Sequence, residues 1–521
     1  MENENIQRPQ EFQSAPSMQP DSTGFSAPVP VIRPFDAVFA GISVLLGFLV
    51  MRYAFCSFDG MFTTITTLLI FAVSVIYVKK CGLSPALPQW IMGIVLCAFS
   101  LVYSITASEL IHGLCFIFVT ALQFWWVEAV CIKARFVTRF FPFDLLRTVF
   151  IQPFMDFGGA GRAVSSAMKN SEKAKNVKYI IAGLAAALPL TFIVAGLLTE
   201  ADEGISRLMN DMADSFFSQN VFSTVIQVIF AFPLGMMIFA MLRSDAIQKL
   251  YPLPYDVYYH ERLDRLKKIP NAAVYAGVTP ICLLYLLYVI SQSNYFLSAF
   301  SGKVPENMLY SEYARRGFFE LCAVAVINLG VILFMLSFSK KSGKESTPVL
   351  KSYAVIISGF TLFIIATAFA KMVLYISRYG LTRLRLYTSW FMVLLAVVFI
   401  VLAIRIFARK FPTAKILTVS FIIMFGMLCF SKPDKVIADY NVWHYVNGEL
   451  EELDVDMLSD LSADGCVAAL SIARNDLNPG KFPEKCAEIE KMCKQKASEY
   501  RSDDLAHYNL SVRELLTMTE E

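Results

Sequence analysis

Eleven apolar stretches, each roughly bilayer-length, lie between Phe35 and Phe430, and basic residues follow nearly every second one. A run of about 20 apolar residues with few charges is long enough to cross the hydrocarbon core as a helix. Lipid offers no partner to a backbone amide, so a spanning chain is confined to helices or a closed barrel. The expected fold class is therefore all-α: a polytopic helical membrane protein with about eleven transmembrane helices and a small helical C-terminal extramembrane domain. The expected spans are roughly 35–56, 61–78, 87–106, 110–132, 179–199, 220–242, 272–297, 317–338, 353–376, 387–404 and 413–431.

Composition supports lipid as the main solvent. Of 521 residues, 56% are hydrophobic and 17% charged, whereas soluble domains carry about 25% charged residues. A net charge of +3 is too small to point to nucleic acid, so the expected partner is the bilayer and no nucleic acid is expected. Most of the 11 cysteines sit in apolar runs, where a thiol behaves as a small hydrophobe. Cys466, Cys486 and Cys493 form no CxxC pair and are read as free thiols; Cys486 and Cys493 are spaced to share one helical face.

Lysine and arginine set the orientation, because cytoplasmic loops carry the positive excess. Lys79 and Lys80 follow the second span, and Lys340, Lys341, Lys344 and Lys351 the eighth. The loop 133–178, after the fourth span, holds nine basic residues against three acids. Arg243 and Lys249 lead a basic loop after the sixth span, and Arg405, Arg409, Lys410 and Lys415 follow the tenth. The loop at 200–219 is instead acidic. The N-terminus is then expected in the cytoplasm and the C-terminus outside.

Three regions follow. Residues 1–34 are rich in Pro, Gln and Ser and are expected to form a disordered cytoplasmic tail, since they cannot bury enough apolar surface to offset ordering. Residues 35–431 form the transmembrane domain, and 432–521 an acidic helical domain. From residue 431 onward there are 19 Asp/Glu and 10 Lys/Arg, about −9, against about +12 for the rest.

Charge gathers at the outward ends of the eighth and ninth spans. Glu312, Arg316 and Glu320 are spaced to share a helical face, as are Lys371, Tyr375 and Arg378. Arg315, Arg383 and Arg385 add cations on a side where few are expected. Intramembrane ionisable residues are functional candidates by default, and an arginine fork matches phosphate geometry. The candidate site is thus a cationic mouth of Arg315, Arg316, Glu320, Lys371, Tyr375, Arg378, Arg383 and Arg385 for an anionic lipid or partner. The competing reading is a set of interhelical ion pairs among the same residues.

Other chemistry is poorly supported. The four histidines are scattered, no metal-ligand spacing occurs, and no metal or cofactor is expected. Gly158-Gly159-Ala160-Gly161-Arg162 lacks the ending of a phosphate-binding loop and reads as a hinge. Asp59 and Glu109 are the outward acids that a membrane enzyme would need. Glu128 lies near an inward end, within reach of water, and Asn328 is placed to bridge helices. Residues 144–151 have the apolar spacing of a helix lying along the headgroup layer.

Several segments resemble a bacterial multi-pass family, domain of unknown function 4173, close to the 4153 group. They are Tyr310 to Asn328, Leu374 to Arg385, Lys432-Pro433-Asp434 with Ile437 to Asn441, Leu453 to Asp456, and Leu461 to Asp464. The resemblance implies a bacterial integral membrane protein and carries over no catalytic residue. The family-like segments are the charged mouth and the adjoining domain, not the apolar spans. The leading expectation is a non-enzymatic binding, sensing or scaffold module, its partner an anionic lipid or an envelope protein. The alternatives are a membrane enzyme acting on a lipid-linked sugar or phosphate, and a transporter.

Overall fold

The computed structural model describes residues 30–55, 60–133, 137–138, 140–169, 187, 194, 219–250, 269–291, 310–339, 348–408, 411–475, 482–501 and 508–520. It is all-α: among these residues the one β-type contact is an isolated bridge between Ile269 and Ser339.

The bundle begins with α1 (Asp36–Leu49), which continues as a π-helical turn over Val50–Phe55. Then come α2 (Gly60–Lys80), α3 (Leu87–Ser100), the short α4 (Val102–Ile105) and α5 (Glu109–Cys131). Three helices, α6 (Phe141–Phe150), α7 (Gln152–Met155) and α8 (Gly159–Lys169), fold against the ends of these spans. They are followed by α9 (Gln219–Leu242), α10 (Ser244–Leu250), α11 (Asn271–Ser291), α12 (Tyr310–Phe338), α13 (Pro348–Tyr379), α14 (Arg383–Phe407) and α15 (Thr413–Phe430). The chain ends in α16 (Pro433–Val446), α17 (Val455–Ser459), α18 (Ala463–Asn475), α19 (Pro483–Arg501) and α20 (Leu510–Glu520).

Among the described residues, nine helices are long and apolar enough to cross a membrane. They correspond to the expected spans one to four, six, seven and nine to eleven. The expected eighth lies in α12, where the described side chains form an apolar helix over Leu321–Met335. The expected fifth, 179–199, lies outside the described residues except for 187 and 194, and most of the tail 1–34 lies outside them too. Residues 30–34, expected to belong to that tail, are fastened to the bundle: Arg243 donates to the carbonyls of Pro30 and Val31 at 3.1 Å each.

Two apolar cores fill the bundle. One joins α1–α5, α9 and α15, and centres on Trp125, Trp126, Tyr77 and Tyr103, all fully buried. The other joins α11–α14. Trp390 of α14 links them, donating to the Met424 carbonyl at 3.0 Å. α1 and α9 cross with no room for side chains between them: a Cβ on Gly47 would lie 2.5 Å from the Ala231 oxygen, and one on Gly235 2.6 Å from Val44 Cα. Small residues at such crossings let helix backbones pack closely where lipid supplies no hydrophobic drive. Outward faces stay apolar, as at Leu283, Leu287 and Ile290 of α11.

A third core lies mainly beyond α15, built from Ile437, Leu458, Leu461, Cys466, Ile489, Cys493 and Leu515, and takes in Leu381 from the turn between α13 and α14. α18 and α19 run antiparallel, Cys493 facing the Cys466 carbonyl (3.5 Å) and Cys486 that of Ala473 (3.6 Å). The shared face expected for Cys486 and Cys493 is present, and the described cysteines are free thiols.

Candidate functional site

Charge converges at both ends of the bundle. At one end the turns after α4, α13 and α15 meet the C-terminal helices, and buried carboxylates hold the junction together. Asp434 is the second residue of α16 and has no exposed surface. Its Oδ1 accepts from Arg383 Nε at 2.9 Å, and its Oδ2 from Arg383 Nη2 at 2.5 Å and from the Ser462 amide at 2.9 Å. Arg383 opens α14 and Ser462 precedes α18, so one carboxylate ties the bundle to two helices of the domain. Bidentate pairing of this kind is the strongest common form of charge-assisted hydrogen bond. Burial pushes the Asp434 carboxyl up, but the Arg383 guanidinium and the Ser462 amide outweigh it and hold the group below the ordinary carboxylate value.

Asp464 makes a second clamp. Its Oδ2 accepts from Thr106 Oγ1 at 2.6 Å and from the Ala107 amide at 2.8 Å, in the turn between α4 and α5. Its Oδ1 lies 3.2 Å from Lys432 Nζ and accepts from the Ser511 hydroxyl. Lys432 also donates to Ser511 Oγ at 2.7 Å. The backbone of Lys432 is left-handed (φ 52°), a conformation that a non-glycine residue keeps only when its surroundings impose it. The kink redirects the chain from α15 into α16.

Two amides complete the junction. Asn441 accepts from the Leu381 amide at 2.6 Å and donates to the Leu381 carbonyl at 2.7 Å. Asn509 donates to the Tyr103 carbonyl at 2.9 Å, and its oxygen accepts from the Ser511 amide at 2.9 Å. Gly380, before Leu381, has φ +76°, and a Cβ there would stand 2.5 Å from Asn441 Oδ1.

The opposite, basic end holds a network of three acids and three arginines, with the exposed Lys249 at its edge, 3.9 Å from Asp245. Arg243 is completely buried between Asp36 (2.8 Å) and Asp156 (2.7 Å). Asp36 also accepts from Tyr77 Oη and from the Arg33 amide, both at 2.9 Å. Arg162 pairs with Asp156, and Arg33 with Asp245. Three acids balance three arginines, as buried charge requires. Gly158–Arg162, expected as a hinge, instead leads into α8 and places Arg162 on Asp156. Glu128, expected to reach water, is fully buried and accepts from Gln248. Nearby, α6 buries Asp144 and Thr148 and leaves Phe143, Leu146 and Phe150 exposed.

The residues expected to form the mouth separate into distinct roles. Arg383 belongs to the Asp434 clamp. Arg385 donates to the Tyr379 and Gly380 carbonyls at 2.8 and 2.5 Å, and its guanidinium lies 3.9 Å above the Tyr375 ring. Arg378 pairs with Glu451 at 2.8 Å in an exposed position, where an ion pair contributes little. Lys371 is buried and lines a cavity of about 340 Å³ between α11, α12 and α13. Arg315, Arg316 and Glu320 lie on α12, but their side chains are outside the described residues, as is Asp59. Glu109 is exposed at the start of α5. Asn328 bridges helices as expected: it accepts from Tyr285 of α11 and donates to Thr361 of α13 at 2.8 Å.

Sequence reasoning passed over the residues that organise both ends. Asp434, Asn441 and Asp464 stand inside the family-like segments, yet nothing local distinguishes them from solvated acids and amides. Asp36 did carry a signal, being an acid at the mouth of an apolar span.

A helical bundle of apolar spans, closed at one end by a buried charge network and at the other by a clamped helical domain, defines a polytopic integral membrane protein. The chain belongs to the family described as domain of unknown function DUF4153, whose family model matches residues 93–472. That range includes Asp434, Asn441 and Asp464 as well as the mouth. The related 4173 group is not the one matched. No curated protein and no solved structure matches the chain.

Proposed function

We propose that the protein is a non-enzymatic binding, sensing or scaffold module of the bacterial inner membrane, with its N-terminus in the cytoplasm and its C-terminal helical domain outside. The observation that carries this reading is the double clamp through Asp434 and Asp464. Buried carboxylates that fix a domain rigidly to a membrane bundle build a platform, and a platform is useful to a protein that presents a surface to a partner. The orientation rests on Lys79, Lys80, Arg147, Arg243 and Lys249 gathering at the end opposite the acidic domain, which agrees with the positive-inside rule. An enzyme acting on a lipid-linked sugar or phosphate needs a reactive acid beside the outward cations. Asp434 and Asp464, the acids next to Arg383 and Lys432, are buried and fully hydrogen-bonded, which favours the non-enzymatic reading. A transporter needs a polar path, whereas the polar pairs inside the spans, Gln123 with Ser74 (2.8 Å) and Asn328 with Thr361, join helix to helix.

Asp434→Asn tests the reading in intact cells. Protease added outside should cut between α15 and α20 in the variant while sparing the native protein. Equal resistance of both, with the domain reachable by antibody, argues against the clamp; a domain that antibody cannot reach argues against the orientation. Crosslinking from Glu452→Cys, on the exposed side of the domain, should yield one discrete envelope-protein adduct that Asp434→Asn loses. A folded domain with no adduct removes the scaffold reading.

A further inference from the structure

The cavity between α11, α12 and α13 combines a cation with an apolar floor, all within the apolar spans. Lys371 marks its polar end, eight residues before the C-terminus of α13, or about 12 Å along the helix axis. Phe360 lines the cavity three turns deeper, about 16 Å away along α13. The floor is preformed. The Tyr285 and Phe360 rings stack at 3.9 Å with planes 6° apart, and Tyr288 meets Phe360 edge-on at 6.2 Å. Asn328 engages the Tyr285 hydroxyl, so the ring offers the cavity an apolar face. Thr367 directs its hydroxyl to the Ile364 carbonyl at 2.8 Å and adds no competing polar group. Leu284, Leu321 and Ile364 complete the walls.

We propose that this cavity binds a single-chain anionic amphiphile of the fatty carboxylate class, with its head on Lys371 and its chain along Phe360 and Tyr285. The inference rests on the reading of the protein as a membrane-embedded binding module and names the ligand class it takes. The volume of about 340 Å³ is at the small end of ligand pockets, which fits one chain and not a two-chain lipid. The polarity also fits the bilayer. Lys371 lies nearer the end of α13 that meets the C-terminal domain, so the head points toward an interface and the chain toward mid-membrane. An ionisable residue at such depth is costly unless it serves a partner or a function.

Purified full-length protein in a neutral detergent, titrated with dansyl-labelled undecanoic acid and with its methyl ester, tests the site. The acid should bind saturably and the ester about tenfold more weakly, equivalent to about 1.4 kcal/mol. Lys371→Met should weaken the acid to the level of the ester, and Lys371→Arg should retain it. Val324→Trp, which fills the cavity from α12, should abolish binding of both probes. Should Lys371→Met fail to fold, the comparison of Lys371→Arg with Val324→Trp decides. Equal affinity for acid and ester in the native protein, or unchanged binding of both probes by folded Val324→Trp, overturns the proposal. These variants leave the Asp434 clamp untouched, so native protease resistance of the domain in them separates failure of this site from failure of the platform.

Discussion

Arg243 carries more of the structure than any other single side chain at the basic end. It is wholly buried, faces two carboxylates and also holds the carbonyls of Pro30 and Val31. Replacing it with Met leaves Asp36 as a buried charge without its cation and Asp156 with Arg162 alone. Loss of one partner from a buried pair costs about 3–5 kcal/mol. Arg243→Met should therefore show a large drop in the thermal unfolding temperature in detergent, and adding Asp36→Asn should recover part of it. Asp434 gives a prediction with a definite sign in pH. Its folded carboxyl lies below the ordinary value, so its contribution is present above the unfolded value of about 3.9. It is lost only as pH falls through the lower folded value. Proteolytic release of the domain should thus stay low from neutral pH down to about pH 4 and rise below it. In Asp434→Asn, release should already be high at neutral pH. Nothing in the sequence pairs Asp434 with Arg383, 51 positions earlier, because a carboxylate's partner depends on where the chain returns and not on its neighbours.

At the level of helices the periodicity of apolar residues was an accurate guide. The α2 helix, Gly60–Lys80, lies within two residues of the expected 61–78, and α3 with α4 ends at Ile105 against an expected 106. The long α13, Pro348–Tyr379, extends beyond its expected 353–376 at both ends, because helical hydrogen bonding continues past the apolar segment that hydropathy detects. The π-helical turn over Val50–Phe55 was not legible, since it changes backbone register without changing composition. It is stabilised in part by Thr63 Oγ1, which donates to the Tyr53 carbonyl at 2.8 Å. The crossing of α1 over α9 depends on Gly47 and Gly235. Gly235→Leu forces the helices apart, and overpacking of this kind costs about 1–3 kcal/mol. The expected result is a lower yield of folded protein and a reduced unfolding temperature, while Gly113→Leu, where no atom lies within 4 Å of an added Cβ, should leave both near native.

For the whole molecule, alternation of apolar spans and basic loops implies that Ser84 and Glu452 lie at opposite ends. Both are exposed. With a membrane-impermeant maleimide on intact cells, Glu452→Cys should label and Ser84→Cys should label only after lysis; the reverse pattern inverts the proposed orientation. The placement of Lys371, Tyr375, Arg378, Arg383 and Arg385 near one end of α13 and α14 was legible, because they recur at helical spacing. Their division of labour was not. Arg383 serves a clamp, Arg385 a helix end and an aromatic ring, and Lys371 a cavity. Sequence alone determined that the chain is helical, where its apolar spans fall, and that an acidic helical segment follows them, because each of these depends on local composition and a short period. Tertiary structure alone decided which charges are buried and with whom. Burial and pairing are properties of helices separated by tens or hundreds of residues, and they arise only when those helices are brought into contact.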